Sequence, residues 1–114
     1  MRIRRARQIL KSLADDTRLR IVNLLNSEQL NVSELCAILG KRQSNLSKHL
    51  ARLRLTGVVT DRREGLNVYY YLRNPDNRAH KELLNSIISG LSGLKVFKED
   101  LKKLKKIKSK QNRT

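Results

Sequence analysis

The hydrophobic period of the sequence changes at Gly57, and this change limits the fold more than any other feature. Before Gly57, the segment 44–56 has leucines at positions i, i+4 and i+7, which is the spacing of one helix face. After it, the runs 58–63 and 68–72 are rich in β-branched and aromatic residues and flank a glycine-containing loop, which is the pattern of a β-hairpin. The sequence therefore predicts a helix that leads directly into a two-stranded hairpin.

Three amphipathic helices are predicted to precede this unit. The first begins near Arg2, where apolar residues recur at helical spacing in a basic segment. The carboxylates of Asp15 and Asp16 can cap the second helix. Asn31 can cap a third, short helix that stops at Gly40. Only a tight, basic three-residue turn then separates the third helix from the leucine-bearing fourth.

Two more helices are predicted after the hairpin. Asn74 and Pro75 supply a cap and a first-turn proline for the fifth helix, which ends at the pair of glycines near residue 90. Residues 95–114 form a basic amphipathic helix that frays into a tail. The predicted fold class is mainly α with a small β-hairpin (α+β), in the order α-α-α-α-β-β-α-α, as a single domain over residues 1–114.

The charge of the chain points to a polyanionic partner. Its 114 residues include 26 Lys and Arg but only 10 Asp and Glu, which gives a net charge of +16. Lysines and arginines placed against phosphates release condensed counterions, so nucleic acid is the first candidate. Three tyrosines, one phenylalanine and no tryptophan are too few rings to stack single-stranded bases along a groove, which favours duplex DNA.

No segment of the sequence predicts a membrane protein or an exported one. No apolar run approaches the roughly 18 residues of a spanning helix. The N-terminal Met1-Arg-Ile-Arg-Arg lacks the apolar core of a signal peptide. We therefore expect a cytoplasmic protein.

The fourth helix has an apolar face and an opposite polar face. Amide side chains can contact adenine bidentately in the major groove, hydroxyls can serve bases or phosphates, and cations can anchor the DNA backbone. A helix, a three-residue turn and a polar-faced helix are the helix-turn-helix arrangement. The candidate DNA-binding residues of this helix are Gln43, Ser44, Asn45, Ser47, Lys48, His49 and Arg52, with His49 on the flank as a packing or phosphate-contact residue.

The hairpin after this helix is interpreted as a wing. Arg62 and Arg63 are placed to meet phosphates or the adjacent minor groove, and Asn67 at the tip is a further candidate contact. The alternative is that these polar surfaces are only solvated. A capped helix before the fourth, an arginine-bearing hairpin after it and the large positive charge together favour the DNA-binding interpretation.

Six short motifs occur in order between Ile9 and Leu72. They are Leu13-Ala-Asp-Asp-Thr-Arg-Leu-Arg-Ile, Ser33-Glu-Leu-Cys, Ser44-Asn-Leu-Ser-Lys-His-Leu, Gly57-Val-Val, Arg63-Glu-Gly and Val68-Tyr-Tyr-Tyr-Leu. Together the motifs resemble the ArsR/SmtB family of winged-helix transcriptional repressors. The resemblance is specific because several motifs occur at family spacing rather than one alone.

The resemblance implies a sequence-specific repressor that binds double-stranded DNA as a homodimer, on an inverted-repeat operator, and leaves it when an inducer binds. Family members often carry Arg or Lys after the wing glycine. Leu66 stands there in this chain, so the wing contacts fall to Arg62 and Arg63. The resemblance divides the chain into dimerisation helices (1–14 and 74–108), a helix-turn-helix plus wing (31–72) and a basic flexible tail (109–114).

No metal site and no cofactor is predicted. Metal-sensing family members carry clustered cysteines on the third helix or a carboxylate and histidine set on the fifth. In this chain Cys36 is the single cysteine, Arg78 stands where a paired histidine is expected, and His80 stands by itself. Two interpretations of Cys36 stay open: a redox or persulfide sensor, or a small buried apolar residue.

Other functions are weighed against the repressor. A sequence-indifferent architectural nucleic-acid binder would use the basic ends, 2–11 and 95–113, but has no need for the uncharged polar set on the fourth helix. The last helix also has the signature of a segment that binds a membrane surface or a partner. Dimerisation is preferred, because both terminal helices must bury apolar stripes. An enzyme is not predicted, since no catalytic constellation appears in the sequence.

Overall fold

The computed structural model describes residues 1–74 and 77–111, and within them the chain has six helices and three strands. The helices are α1 (Ile3–Leu13), α2 (Asp16–Ser27), α3 (Val32–Leu39), α4 (Gln43–Leu55), α5 (Arg78–Leu91) and α6 (Lys95–Gln111). The strands are β1 (Leu30–Asn31), β2 (Val59–Glu64) and β3 (Asn67–Leu72). The predicted fold class is confirmed, with the short strand β1 as an addition to the predicted order.

Local capping residues set the ends of the helices that lead to α4. The Asp15 carboxylate accepts a hydrogen bond from the backbone N–H of Arg18 at 3.0 Å. Asn31 Oδ1 accepts from the N–H of Glu34 at 2.8 Å, and the Glu34 carboxylate accepts from the N–H of Asn31 at 3.0 Å. Gly40, with a φ of 66°, ends α3. The predictions for Asp15, Asn31 and Gly40 are confirmed.

The predicted start of the fifth helix is wrong. Asn74 does not cap α5, because the helix begins at Arg78 and Asn77 is its N-cap. The Asn77 side chain accepts from the backbone N–H of His80 at 3.1 Å, which is the bond that defines such a cap. Two asparagines lie close together here, and the sequence does not distinguish them. Pro75, predicted for the first helical turn, lies outside the described residues.

The three strands form one antiparallel sheet in the order β1-β3-β2. Only Gly65 and Leu66 separate β2 from β3, and Gly65 takes a positive φ of 62° at this tight turn. On the other edge of β3, β1 pairs Leu30 with Tyr70. Asn31 belongs to β1 and also caps α3, so the wing is attached to the first helix of the helix-turn-helix.

One hydrophobic core joins all six helices to the sheet. α2, α3 and α4 supply most of it, and α1, α5 and α6 each pack one apolar stripe against it. Its aliphatic side chains are almost completely buried: Ile9, Leu13, Ile21, Val22, Leu24, Leu25, Leu30, Leu35, Ile38, Leu39, Leu46, Leu50, Leu53, Val58, Val59, Leu84, Ile88 and Leu104.

α6 is a basic amphipathic helix, as predicted, but it is longer than predicted. It continues to Gln111, so residues 109–111 are helical and do not belong to a flexible tail, while 112–114 lie outside the described residues. The last turn is held because Lys108 and Gln111 both reach the carboxylate of Glu34. In neither described range does a helix combine the length and apolar character that crossing a bilayer requires.

Candidate nucleic-acid interface

α4 presents two faces of opposite character. Leu46, Leu50 and Leu53 are buried and hold the helix against the core, as predicted. No acidic residue occurs between Gln43 and Leu55, so a phosphate backbone would meet no repulsive charge on this helix. The candidate residues that reach solvent on α4 are Gln43, Ser44, Asn45, Ser47, Lys48 and Arg52.

The N-terminus of α4 is open, unlike those of α2, α3 and α5. In those three helices an Asp or Asn side chain accepts a hydrogen bond from a first-turn N–H. In α4 the N-cap is Arg42, whose side chain makes no capping bond, and the first turn has no carboxylate. The positive end of the helix dipole and the first N–H groups are therefore available to an anion, and the exposed Lys41 and Arg42 add two cations.

His49 joins α4 to the start of α2. Its Nδ1 lies 3.2 Å from a guanidinium nitrogen of Arg18, which is positioned to donate to it. The same Nδ1 lies 3.6 Å from the Asp15 carboxylate. His49 is half-buried, in contrast to its neighbour Lys48. Its position is that of a packing residue that orients α4.

The two wing arginines lie on opposite faces of the hairpin, because successive strand residues point to opposite sides. Arg62 is held on its face: its Nε donates to Gln29 Oε1 at 2.9 Å, and a second nitrogen pairs with Glu64. Its guanidinium also stacks over Tyr69, 5.0 Å from the ring centroid. Arg62 is therefore engaged by partners within the chain, although its side chain is still 45% exposed.

Arg63 and Asn67 are the wing residues best placed to reach DNA. Both are exposed and lie next to the turn of the hairpin. Within residues 1–74 and 77–111, Arg63 forms no salt bridge. Leu66 at the tip is fully exposed and offers no charge. Of the two predicted wing arginines, Arg62 is thus bound by other side chains of the protein, and Arg63 is free of ion pairs within the described residues.

Comparison with known proteins identifies the family. Residues 15–61 match the family described as "Bacterial regulatory protein, arsR family", a segment that runs from the N-cap of α2 into β2. The transcriptional activator HlyU of Vibrio cholerae is 40% identical over 79 residues, which are 69% of this chain and 73% of HlyU. The chain belongs to the ArsR family. The transcriptional repressor PagR of Bacillus anthracis is 42% identical to this ArsR-family chain over 82 residues, 70% of the chain and 81% of PagR.

Solved structures have the same fold as this ArsR-family protein. Reduced HlyU of Vibrio cholerae has a TM-score of 0.68 at 35% identity, covering 81% of this chain and 90% of HlyU. A homodimeric winged helix-turn-helix DNA-binding domain, Mb0332 of Mycobacterium bovis, has a TM-score of 0.65 at 27% identity, covering 78% of this chain and 82% of the domain. The resemblance found in the sequence is confirmed.

Cys36 and His80, the residues considered for inducer binding, belong to different helices of this ArsR-family protein. Cys36 is half-buried on α3 and packs against the core. His80 is buried at the start of α5, far along the chain from Cys36. Among the residues that the structure describes, no three His, Cys, Asp or Glu side chains come together as a metal site. Both interpretations of Cys36 stay predictions.

Glu34 is a site residue that sequence reasoning missed. Its carboxylate is buried at the N-terminus of α3, where one oxygen accepts from the N–H of Asn31. The other oxygen accepts from Lys108 Nζ at 3.0 Å and from Gln111 Nε2 at 2.7 Å. Burial by itself would raise the pKa of Glu34, but these hydrogen bonds and the Lys108 charge outweigh it and hold the pKa below its usual value. One carboxylate thus connects the helix-turn-helix to the end of α6.

Glu34→Gln is expected to destabilise the protein at neutral pH by about 1.5–3 kcal/mol, because charge-assisted hydrogen bonds are lost. A carboxylate whose pKa is lowered by folding stabilises the protein above its unfolded pKa, and this contribution is lost as the pH falls through the folded pKa. The difference in the free energy of unfolding between wild type and variant should therefore disappear at acidic pH. Urea unfolding at neutral and acidic pH measures it, with Glu99→Gln, an exposed residue on α6, as the control. A gap that is constant with pH would contradict the role of the Glu34 charge.

Proposed function

We propose that this ArsR-family protein is a sequence-specific transcriptional repressor that binds an inverted-repeat operator in double-stranded DNA as a homodimer. The observation that carries the proposal is α4, an uncapped helix with a polar, acid-free outer face. Its N-terminus suits a phosphate and its outer face suits base edges. The net charge of +16 supplies the sequence-independent attraction to DNA.

The candidate residues take three different roles in this proposal. Gln43 and Asn45 carry amides that suit bidentate contacts with adenine, and the hydroxyls of Ser44 and Ser47 serve bases or phosphates. Lys48 and Arg52 contact the backbone. His49 contacts Arg18 on α2 and so orients the helix. On the wing, Arg63 and Asn67 are the first contacts, and Arg62, which is engaged by partners within the chain, is the next.

The proposed dimer is supported by apolar side chains on α1 and at the start of α6. Ile3 is 86% exposed, and Leu10 lies on the same face of α1 seven residues later. Leu94 and Val96 are also exposed. Such side chains gain by packing against a second subunit. The Mb0332 domain, which has this fold, is described as homodimeric. We therefore assign 1–14 and 74–108 to dimerisation and 31–72 to DNA binding.

The direction of regulation and the location of the protein also belong to the proposal. PagR is named a repressor and HlyU an activator, so relatives regulate in both directions. We propose repression, because a dimer bound to an inverted repeat in a promoter blocks access to it without the help of another protein. A regulator of this kind acts in the cytoplasm, where the DNA is. Release by an inducer completes the proposal.

Fluorescence anisotropy with the full chain tests this function. The protein is titrated into its own upstream DNA and into a scrambled duplex of equal length, across a series of salt concentrations. We expect one dimer per site and a preference for the upstream DNA of about 10³ or more that persists at high salt. Equal affinities that fall together as salt rises would overturn the proposal and favour an architectural binder.

Two substitutions on α4 separate base contacts from phosphate contacts. Asn45→Ala is expected to weaken binding to the upstream DNA by about 10- to 100-fold and to leave the scrambled duplex unchanged. Lys48→Gln should weaken binding to both duplexes equally and reduce the salt slope by about 1. Lys98→Gln, on the exposed side of α6, removes the same charge as a control. If Asn45→Ala keeps the full preference for the upstream DNA over the scrambled duplex, the exposed polar face of α4 does not make the base contacts assigned to it.

A further inference from the structure

Two guanidinium groups from separate parts of the chain converge beside Gly57. A Cβ atom placed on Gly57 would lie 2.9 Å from Arg5 Nη2 and 3.1 Å from Arg73 Nη1. Arg5 belongs to α1, and Arg73 directly follows β3. Gly57 has a φ of 73° and no side chain, so both guanidinium groups have room to approach the same point.

His80, at the start of α5, is buried, has an unsatisfied ring nitrogen and is within reach of the charges of both arginines. The residue is 4% exposed, and its Nε2 has no hydrogen-bond partner among the described residues. Burial lowers the pKa of His80, and the charges of Arg5 and Arg73 lower it further. A buried polar atom without a partner is costly, and the half-buried Arg5 and the exposed Arg73 add a repulsion that solvent screens in part. An anion held among the three groups would relieve both costs.

We infer that Arg5, Arg73 and His80 form a binding site for a small oxyanion of the phosphate, sulfate or carboxylate class. Guanidinium groups match such ions by paired N–H donation, and the imidazole can donate a further hydrogen bond. Within residues 1–74 and 77–111, no carboxylate forms a salt bridge with Arg5 or Arg73. This inference does not rest on the proposed DNA-binding function.

The position of this oxyanion site favours a free ion over a DNA phosphate. Gly57 follows the C-terminal end of α4, and a helix of 13 residues is about 20 Å long. The site is therefore separated by the whole length of α4 from the open N-terminus that suits DNA. A bound ion would contact α1, the base of the wing and α5 together, and so would link three elements that are distant in sequence.

Isothermal titration of the full chain with inorganic phosphate, in a chloride buffer, tests the site. We expect one phosphate per chain and a loss of affinity of about tenfold or more in Arg5→Gln and in Arg73→Gln. Arg7→Gln removes the same charge from an exposed position of α1 and should change the affinity by less than about twofold. In NMR spectra, the His80 ring signals should shift with phosphate in the wild type, and this shift should be lost in Arg73→Gln. The melting temperature of each variant checks that it is folded.

Four outcomes would overturn the inference. The first is no saturable binding at millimolar phosphate. The second is an equal loss in Arg7→Gln and Arg5→Gln, because binding would then follow net charge alone. The third is a set of His80 ring signals that do not shift with phosphate, because the imidazole would then lie outside the site. The fourth is a loss of DNA affinity in Arg73→Gln as large as that in Lys48→Gln, which would assign the arginines to the DNA backbone.

Discussion

Arg20→Met is expected to lower the free energy of unfolding by about 3–5 kcal/mol, because it leaves the buried Asp100 carboxylate without its partner. Asp100 is 1% exposed on α6. Both of its oxygens are bound by the guanidinium of Arg20 on α2, at 2.8 and 2.9 Å. The Asp100 hydrogen bond also raises the pKa of Arg20, so the guanidinium keeps its charge. Urea unfolding followed by circular dichroism measures the loss.

A second Arg–Asp pair in the same protein supplies the control. Arg54 and Asp61 lie 2.9 Å apart, but the Arg54 side chain is mostly exposed. Arg54→Met should therefore cost less than about 1 kcal/mol. The double substitution Arg20→Met/Asp100→Leu should recover most of the lost stability, because no unpaired charge is left in the interior. A loss in Arg20→Met no larger than that in Arg54→Met would contradict the assignment.

Leu50→Ala is expected to cost about 2–5 kcal/mol of stability and to weaken DNA binding as a consequence. Leu50 is 1% exposed on the inner face of α4, where the substitution leaves a cavity under the helix that carries the predicted DNA contacts. A helix that is loose on the core no longer holds its outer side chains in one arrangement. Thermal unfolding measures the stability, and anisotropy below the melting temperature measures the affinity.

Leu55→Ala is the matched control, because it makes the same change on the same helix at a side chain that is 86% exposed. Its effect on the free energy of unfolding should stay within about 0.5 kcal/mol. If the two leucine variants lose equal stability, α4 does not depend on its inner face. If Leu55→Ala alone weakens DNA binding, the exposed leucine itself contacts the duplex.

The sequence predicts those parts of the fold that depend on neighbours in the chain. The caps at Asp15, Asn31 and Gly40 follow from residue types one turn away, and the hairpin follows from its alternation and its glycine. The two-residue strand β1 is too short to show any period. The choice of Asn77 over Asn74 depends on where the chain leaves β3, which sequence spacing does not give.

The contacts that organise the candidate sites are distant in sequence, and this is why they were not predicted. Arg20 and Asp100 are 80 residues apart, and Glu34 and Lys108 are 74 apart. The spacing of Asn31 and Glu34 is that of a capping box and could have identified half of the role of Glu34. Six of the seven candidate residues of α4 are exposed in the structure, because one helix determines its own polar face, but the exposed Arg54 and Leu55 were not among the candidates. The convergence of Arg5, Arg73 and His80 requires the tertiary fold.

Asn31 helps to set the distance between α4 and the wing, the two parts of the DNA-binding unit. The same residue pairs with Tyr69 in the sheet of the wing and caps α3, the helix that precedes α4, so the wing and α4 are connected through α3. A duplex whose groove spacing does not match the distance between α4 and the wing must bend or twist to contact both. Base steps that deform easily would then be preferred at positions that no side chain touches.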